Sequence, residues 1–441
     1  VAIGSTALDA NTVGDRNVAV GHGALTTFNP SSNADTYNTA VGTLSLKNLT
    51  TGTLNTAVGG QAMELATTGG SNTAMGYGAL NANTTGADNT AVGTASLDAN
   101  TTGAENVAVG KSSLTGNTTG DFNVAIGENA LANNTTADNN TAVGRRAMLA
   151  NTTGAENVAV GKDALIANTT AGNNVAVGKD ALKANTTGNT NVAIGTDAMT
   201  TNVAGDRNVA VGEQALQNMN PSGNVDTYNV GIGYNAGLAM TTGIRNTLVG
   251  GLAGDAITSA TRNTGLGYEA LSTATTGGNN TAVGSFAQKL LTTGTRNTAV
   301  GDAALNGNQV GTDNTSIGDQ TLKVNTASDN TAVGSHSMFA NTTGAENTAV
   351  GANALDANTT ASGNSAFGVD SLTTNTTGSS NAAYGSNSLK LNTTGGSNVA
   401  IGISALQANT TASNNTAVGK SALTTNTTAT GHTAVGFKAL T

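Results

Sequence analysis

Residues 89–105 read NTAVGTASLDANTTGAE, and close variants of this stretch recur along the whole chain. The glycine that closes NTAVG, Gly93 in this copy, marks a repeat of 17 residues that runs from Gly4 to Gly436. A fixed short period of this kind is the signature of a stacked repeat architecture. The spacing departs from 17 residues at three places, which are 21 residues from Gly21 to Gly42, 21 from Gly212 to Gly233, and 16 from Gly318 to Gly334.

A second, longer repeat is superimposed on the first. The block 15–205 resembles the block 206–396 at an offset of 191 residues. Each block contains one of the two long spacings and one of the chain's two prolines, Pro30 and Pro221. The sequence therefore predicts a tandem duplication of a unit of about eleven turns.

Each position of the repeat has its own chemistry, which predicts the fold. The alternation in NTAVG indicates a short strand, and the glycine and the NTTG segment indicate turns. Helix is disfavoured because Gly, Thr, Asn and Val dominate. We predict an all-β protein, a parallel β-roll (β-solenoid) of about 26 seventeen-residue coils stacked ~4.8 Å apart, with two strands per coil. A three-sided helix is the alternative, but the apolar positions do not recur every six residues.

Composition limits both the core and the function. The chain has 441 residues with 59 Gly, no Cys and only 3% aromatic residues, so the large apolar side chains are too sparse for one thick core. We expect residues 1–441 to form a single continuous solenoid that is a segment of a longer protein. The net charge of −9 without a basic patch argues against nucleic-acid binding, and no apolar run is long enough for membrane insertion.

No pattern in the sequence indicates catalysis. The three histidines, His22, His336 and His432, are far apart, and no nucleophile motif, metal-ligand spacing or phosphate-binding loop is present. We therefore predict that the protein is not an enzyme and has no cofactor or metal.

The repeat also suggests self-association. A coil that buries one Val and one Leu gains roughly 3–6 kcal/mol, which is little against the backbone entropy of seventeen residues. We expect the Val and the Thr or Val of NTAVG to face the core, and the central Ala to face outward. That residue is Ala in 22 of 26 copies, so we expect the Ala face to pack against another chain in a cyclic homo-oligomer. The exceptions are Gly231, Leu248, Gly265 and Ser316.

The unit N-[T/V]-A-[V/I]-G-x-x-[A/S], present for example as NVAIG at 123–127, resembles the head repeat of trimeric autotransporter adhesins and related repeats of phage and prophage tail fibres. The resemblance covers essentially the whole chain. It implies a left-handed, homotrimeric β-roll in an extracellular fibre, on a cell surface or a virion, that mediates attachment or displays a distal tip. The period of 17 is longer than we expect for adhesin heads, and no heptad stalk or membrane anchor is visible.

Two other functions stay open at this point. The first is a purely structural filament or spacer without a receptor of its own. The second is an ice-binding solenoid, because Thr recurs at regular spacing in the NTTG segments. The Asn before that Thr pair is replaced by an apolar residue at positions 49, 66, 240, 257, 274 and 291.

The two long spacings insert the loops 26–37 and 217–228, which are the candidate binding sites. Loops that project from a rigid scaffold often carry function. We expect a host-surface glycan or protein to contact their aromatic residues and prolines, with a cap on the neighbouring coils as the alternative. The candidate contact residues are Phe28, Pro30, Tyr37, Pro221 and Tyr228.

The asparagine that opens NTAVG predicts a ladder along the stack. Stacked Asn side chains can form hydrogen bonds from coil to coil, as in cross-β assemblies, and ion binding is the alternative. The N-T-T triplets are also formal glycosylation acceptors. The predicted ladder comprises Asn17, Asn38, Asn55, Asn72, Asn89, Asn106, Asn123, Asn140, Asn157, Asn174, Asn191 and Asn208.

Overall fold

A computed structural model describes the backbone of residues 1–441 and all side chains except that of Ala34. The chain divides into two compact units, Val1–Thr227 and Tyr228–Thr441. Each unit is a parallel β-solenoid with a spacing of about 17 residues, and the described residues form about 25 turns. The predicted all-β solenoid architecture is therefore confirmed.

The first unit contains one short strand in each turn. At each inserted loop, two further strands of two residues pair with each other. The pairs join Gly14–Asp15 to Ala34–Asp35 and Gly205–Asp206 to Val225–Asp226. The strands of the turns are Ala2–Ile3, Val18–Val20, Thr39–Val41, Thr56–Val58, Thr73–Met75, Thr90–Val92, Val107–Val109, Val124–Ile126, Thr141–Val143, Val158–Val160, Val175–Val177, Val192–Ile194 and Val209–Val211.

The second unit repeats the same arrangement with three-residue strands. Neighbouring strands pair in parallel and in register, including across the short spacing, where Ser316 lies opposite Ala332. The strands are Val230–Ile232, Thr247–Val249, Thr264–Leu266, Thr281–Val283, Thr298–Val300, Thr315–Ile317, Thr331–Val333, Thr348–Val350, Ser365–Phe367, Ala382–Tyr384, Val399–Ile401, Thr416–Val418 and Thr433–Val435.

The turn 89–105 represents the regular geometry, and we number it from position 1 (Asn89) to position 17 (Glu105). Backbone hydrogen bonds connect it to its neighbours on every side. The N–H of Thr90 donates to the next turn at 2.8 Å, as do those of Leu97 and Thr101 at 2.9 Å. Only one segment of the turn is a strand, so the expectation of two strands per coil is wrong.

Left-handed backbone conformations explain why the remaining sides of the turn are not extended. In this turn Ala95, Leu97 and Glu105 have φ values of 53°, 51° and 57°. Position 5 is reserved for glycine, because Gly93 has φ of 133° and a Cβ there would lie 2.5 Å from the carbonyl oxygen of Gly110. The turns therefore stack backbone against backbone at this corner.

The interior of each turn is narrow and filled mainly from positions 1, 3, 8, 9 and 12. In the representative turn these residues are fully buried, and they are Asn89, Ala91, Ser96, Leu97 and Asn100. The central Ala of NTAVG therefore faces the chain's own core, while Thr90 and Val92 on either side are only half-buried. The expectation that this Ala faces another chain is wrong, and the outward face carries Thr and Val instead.

Candidate functional site

The five candidate residues of the inserted loops have different surroundings. Phe28 is completely buried, and one of its ring carbons would lie 2.7 Å from a Cβ on Gly14. Pro221 is also buried, and Pro30 is half-buried. Only Tyr37 and Tyr228, which are 45% and 46% exposed, present aromatic surface to solvent. Phe28 and Pro221 therefore pack against the solenoid and offer no surface to a ligand.

The first inserted loop is held by a small polar cluster. The Arg16 guanidinium pairs with the Asp35 carboxylate at 2.9 Å and lies 5.3 Å from the centre of the Tyr37 ring. The Tyr37 hydroxyl also donates to Asp35 at 3.4 Å. Inside this cluster, Thr36 donates to the Oδ1 of Asn17 at 2.9 Å. These contacts fix the loop to the turn below it and occupy the polar groups of Tyr37.

The asparagines at position 1 form a continuous ladder in the first unit. From Asn38 to Asn208, the backbone N–H of each one donates to the side-chain Oδ1 of the preceding one at 2.9–3.0 Å. The side-chain amide of Asn106 also donates to Asn89 Oδ1 and to the Gly120 carbonyl. The Asn106 side chain is fully buried, and its polar atoms bond within the chain.

A second buried asparagine ladder lies at position 12, in the NTTG segment that the sequence predicts to be a turn. The side-chain amide of Asn100 donates to Asn83 Oδ1 at 2.9 Å, and that of Asn117 donates to Asn100 at the same distance. The frequent recurrence of Asn before the Thr pair is the signal in the sequence that could have predicted this ladder. In several turns near the inserted loops the ladder is replaced by buried apolar residues, which are Leu49, Ala66, Met240, Ile257, Ala274 and Leu291.

The burial of this second ladder determines whether the N-T-T triplets are accessible to glycosylation. The acceptor asparagine of a regular triplet is buried, as at Asn83, Asn100 and Asn117, so it is closed to glycosylation in the folded chain. The hydroxyl of the first Thr of each pair also forms a hydrogen bond within the chain. For example, Thr84 Oγ1 donates to the carbonyl of Thr101 at 2.9 Å. Only the second Thr, such as Thr102, is exposed.

The outward face of the strands carries an uncharged stripe formed by positions 2 and 4. Position 2 is Thr or Val in nearly every turn, and position 4 is always apolar. Both are half-buried or exposed along each unit. Large exposed side chains on this outward stripe are Val1, Ile3, Met75, Ile126 and Ile194 in the first unit, and Ile232, Leu266, Val300, Ile317, Tyr384, Ile401 and Val435 in the second.

Two neighbouring turns reveal a size relationship on the outward stripe. The rings of Phe367 and Tyr384 at position 4 stack with centroids 4.9 Å apart and an interplanar angle of 7°. In these two turns position 2 is Ser365 and Ala382, where the other turns have Thr or Val. The smallest residues at position 2 thus coincide with the aromatic residues at position 4, which keeps the stripe from widening.

The charged side chains form local pairs between turns. Arg146 binds Asp163 through two hydrogen bonds of 2.7 Å. Burial acts to raise the pKa of Asp163, but the two hydrogen bonds from Arg146 hold this pKa below its usual value. Among the described residues no group of three His, Cys, Asp or Glu side chains is arranged to hold a metal ion. The described part of the chain also contains no helix that is long and apolar enough to cross a membrane.

No protein-family model matches the chain, and no curated protein shows significant similarity to it.

Proposed function

We propose that the protein is a segment of an extracellular fibre whose chains associate side by side through the outward stripe. The observation that carries this proposal is the uncharged and partly exposed row at positions 2 and 4 along each of the two units. Contiguous exposed apolar surface of this extent is typical of interaction sites in soluble proteins. The fibre attaches to a surface or displays a distal tip, on a cell or a virion, as the adhesin and tail-fibre resemblance implies.

A second copy of the same chain is the partner that fits the stripe. Two copies share the same spacing between turns, so each turn of one chain can meet a turn of the other. No charged residue occupies position 2 or position 4, so identical faces meet without repulsion between like charges. The small residues beside Phe367 and Tyr384 limit the combined size of the side chains at positions 2 and 4. A surface open to water has no such limit, so this pattern supports a face that is covered by another chain.

The assembled state is a left-handed homotrimer. Cyclic symmetry lets identical chains bury identical faces and closes the assembly. The resemblance to trimeric adhesin heads supports both three chains and a left-handed coil. The stripe, rather than the Ala face, supplies the contact.

Ice binding is the second candidate function, and the same stripe favours it. Thr and Val methyl groups recur at two-residue spacing along each strand and at one-turn spacing between strands, which gives a regular array. Met75, Leu266, Phe367 and Tyr384 interrupt this array with larger side chains of different shapes. Such interruptions are tolerated at a protein interface more readily than against a crystal lattice, so fibre assembly is preferred.

Light scattering on a size-exclusion column tests the assembly. We expect a molar mass three times the 42.9 kDa of one chain. The double variant Val109→Glu and Val143→Glu places charges on the stripe and should release monomers. The matched control, Thr119→Glu and Thr153→Glu, adds the same charges at exposed positions of the same turns and should leave the trimer intact. A folded wild-type monomer with thermal hysteresis would instead establish ice binding.

A further inference from the structure

The ring of Tyr268 rests on the neighbouring turn and remains half exposed. A Cβ on Gly251 would lie 3.6 Å from Tyr268 Cδ2, so the ring leans over a residue that has no side chain. The ring of Phe286 in the following turn lies nearly perpendicular to that of Tyr268, with centroids 5.6 Å apart. Tyr268 is nevertheless 50% exposed, and Tyr234, two turns before it, is 53% exposed. Aromatic surface therefore extends across several consecutive turns.

Charged groups border this aromatic surface. Lys289 forms an ion pair with Glu269 and lies 5.1 Å from the centre of the Phe286 ring. Hydrogen bonding to Lys289, and then to Tyr268, holds the pKa of Glu269 below its usual value. Glu269 is therefore a carboxylate acceptor at neutral pH, held beside the Tyr268 ring.

Two acceptors in the adjoining turns have no donor. The Oδ1 atoms of Asn235 and Asp255 are buried and have no hydrogen-bond partner among the described residues. These two residues are 20 positions apart, the separation at which Lys289 reaches Glu269 and Lys390 reaches Asp370. Buried acceptors without donors are costly, so these two turns are short of O–H or N–H groups.

The duplicated block supplies an internal comparison. At the offset of 191 residues, Tyr77 leans over Gly60 in the same way, with Cδ2 3.4 Å from a Cβ built there, and Tyr77 is 62% exposed. The surrounding residues differ between the blocks. Tyr234, Glu269, Phe286 and Lys289 correspond to Thr43, Gly78, Ala95 and Asp98. The fold therefore does not require the aromatic and charged border, which only the second block has.

We propose that one surface of the second unit, the Tyr268 platform, binds a neutral oligosaccharide. The platform is formed by Tyr234, Gly251, Tyr268, Glu269, Phe286 and Lys289. The exposed aromatic surface suits the C–H faces of sugar rings, and sugar hydroxyl groups can donate to the partly exposed Glu269 carboxylate. Lys289 is paired with Glu269, so the platform has no unpaired cation among these residues to attract a polyanion. The platform uses positions 6, 7 and 10 of the turn, so it does not depend on association through the outward stripe.

Titration of the full chain with neutral tetrasaccharides tests the proposal. We would use cellotetraose, chitotetraose, maltotetraose and mannotetraose, with saturation-transfer NMR for detection and calorimetry for affinity. At least one of them should bind, and Tyr268→Ala should lower its affinity by about tenfold or more. Tyr268→Phe, which keeps the ring, should stay within about threefold of the wild type. Tyr77→Ala is the matched control and should have no effect.

Glu269→Gly keeps the test decisive if Tyr268→Ala does not fold. It introduces the residue of the first block at a position with φ of 53°, where glycine is tolerated, and it should weaken binding as well. The proposal is overturned if none of the four tetrasaccharides binds at millimolar concentration, or if binding is insensitive to both substitutions. Binding of heparin without binding of the neutral sugars would also overturn it. None of these results alters the light-scattering test of assembly.

Discussion

The side chain of Leu248, which lies on a strand, fills the interior space that Gly254 leaves empty in the same turn. The Leu248 Cδ2 atom lies 2.8 Å from the place where a Cβ of Gly254 would be. In the regular turn the large side chain comes from position 9, as with Leu97, and position 3 is Ala. In this turn the large side chain is at position 3 and the small residue is at position 9. The strands on either side carry Gly231 and Gly265 opposite Leu248, which leaves room for the larger side chain.

This exchange predicts a coupled pair of substitutions. Leu248→Ala should cost about 2–5 kcal/mol of local stability, because it leaves an interior cavity. Gly254→Leu alone should cost about 1–3 kcal/mol through overpacking. The double variant restores the regular pattern, and leucine at position 9 already adopts the left-handed conformation elsewhere in the chain. Hydrogen exchange of the amides in these turns should therefore show the double variant to be more stable than Leu248→Ala. Simple additivity of the two costs would contradict the exchange.

The first asparagine ladder predicts a strong effect of a single amide. Asn106→Ala should destabilise its turn by at least about 2 kcal/mol, because the buried partners at Asn89, Gly120 and Asn123 lose hydrogen bonds. The control is Asn133→Ala, which removes an exposed asparagine side chain from the next turn. Amide hydrogen exchange reports the local opening of each turn, which suits a solenoid whose units open separately. Equal protection in both variants would exclude a stabilising role for the ladder.

The burial of Phe28 predicts that the first inserted loop has two functionally different aromatic residues. Phe28→Ala should cost about 3–5 kcal/mol of local stability, because the ring fills the interior beside Gly14. Tyr37→Ala should change stability by less than about 1 kcal/mol, since the ring is half exposed and its ion-pair neighbours are at the surface. Thermal unfolding followed by circular dichroism, together with local hydrogen exchange, distinguishes the two. A similar loss for both residues would mean that the loop is held mainly by the Arg16 cluster.

Asp255 predicts a pH-dependent stability in the second unit. Burial raises the pKa of this carboxyl group, so the folded chain holds the proton more tightly than the unfolded chain does. The stability of the wild type should fall as the pH rises from the ordinary carboxyl range through the raised folded value. Asp255→Asn should therefore be the more stable form at neutral pH and have no such advantage in acid. Asp302→Asn, at an exposed carboxylate, is the control. Parallel pH profiles for Asp255→Asn and the wild type would argue against this role.

The repeat predicted the architecture but not every position of the site. The 17-residue spacing predicted the parallel stacking, because a fixed period leaves each residue above its equivalent in the next turn. The candidate residues of the inserted loops were less predictable. Phe28 and Tyr37 are both aromatic residues in the same loop, and only the packing of the loop onto Gly14 places one inside and the other outside. The second ladder was visible as recurring Asn, but its burial depends on how the turn closes.

The sequence by itself determined the period, the in-register parallel stack and the glycine corner, because these follow from chain geometry at each repeat. The tertiary structure decided which side of NTAVG is the core. A three-residue strand alternates equally well in either orientation, so the pattern alone cannot distinguish Ala inside from Val inside. The choice follows from the narrow interior, where Leu97, Asn89 and Asn100 already fill the turn and leave room only for Ala91. The larger Val92 and Thr90 consequently face outward and form the surface that other molecules meet.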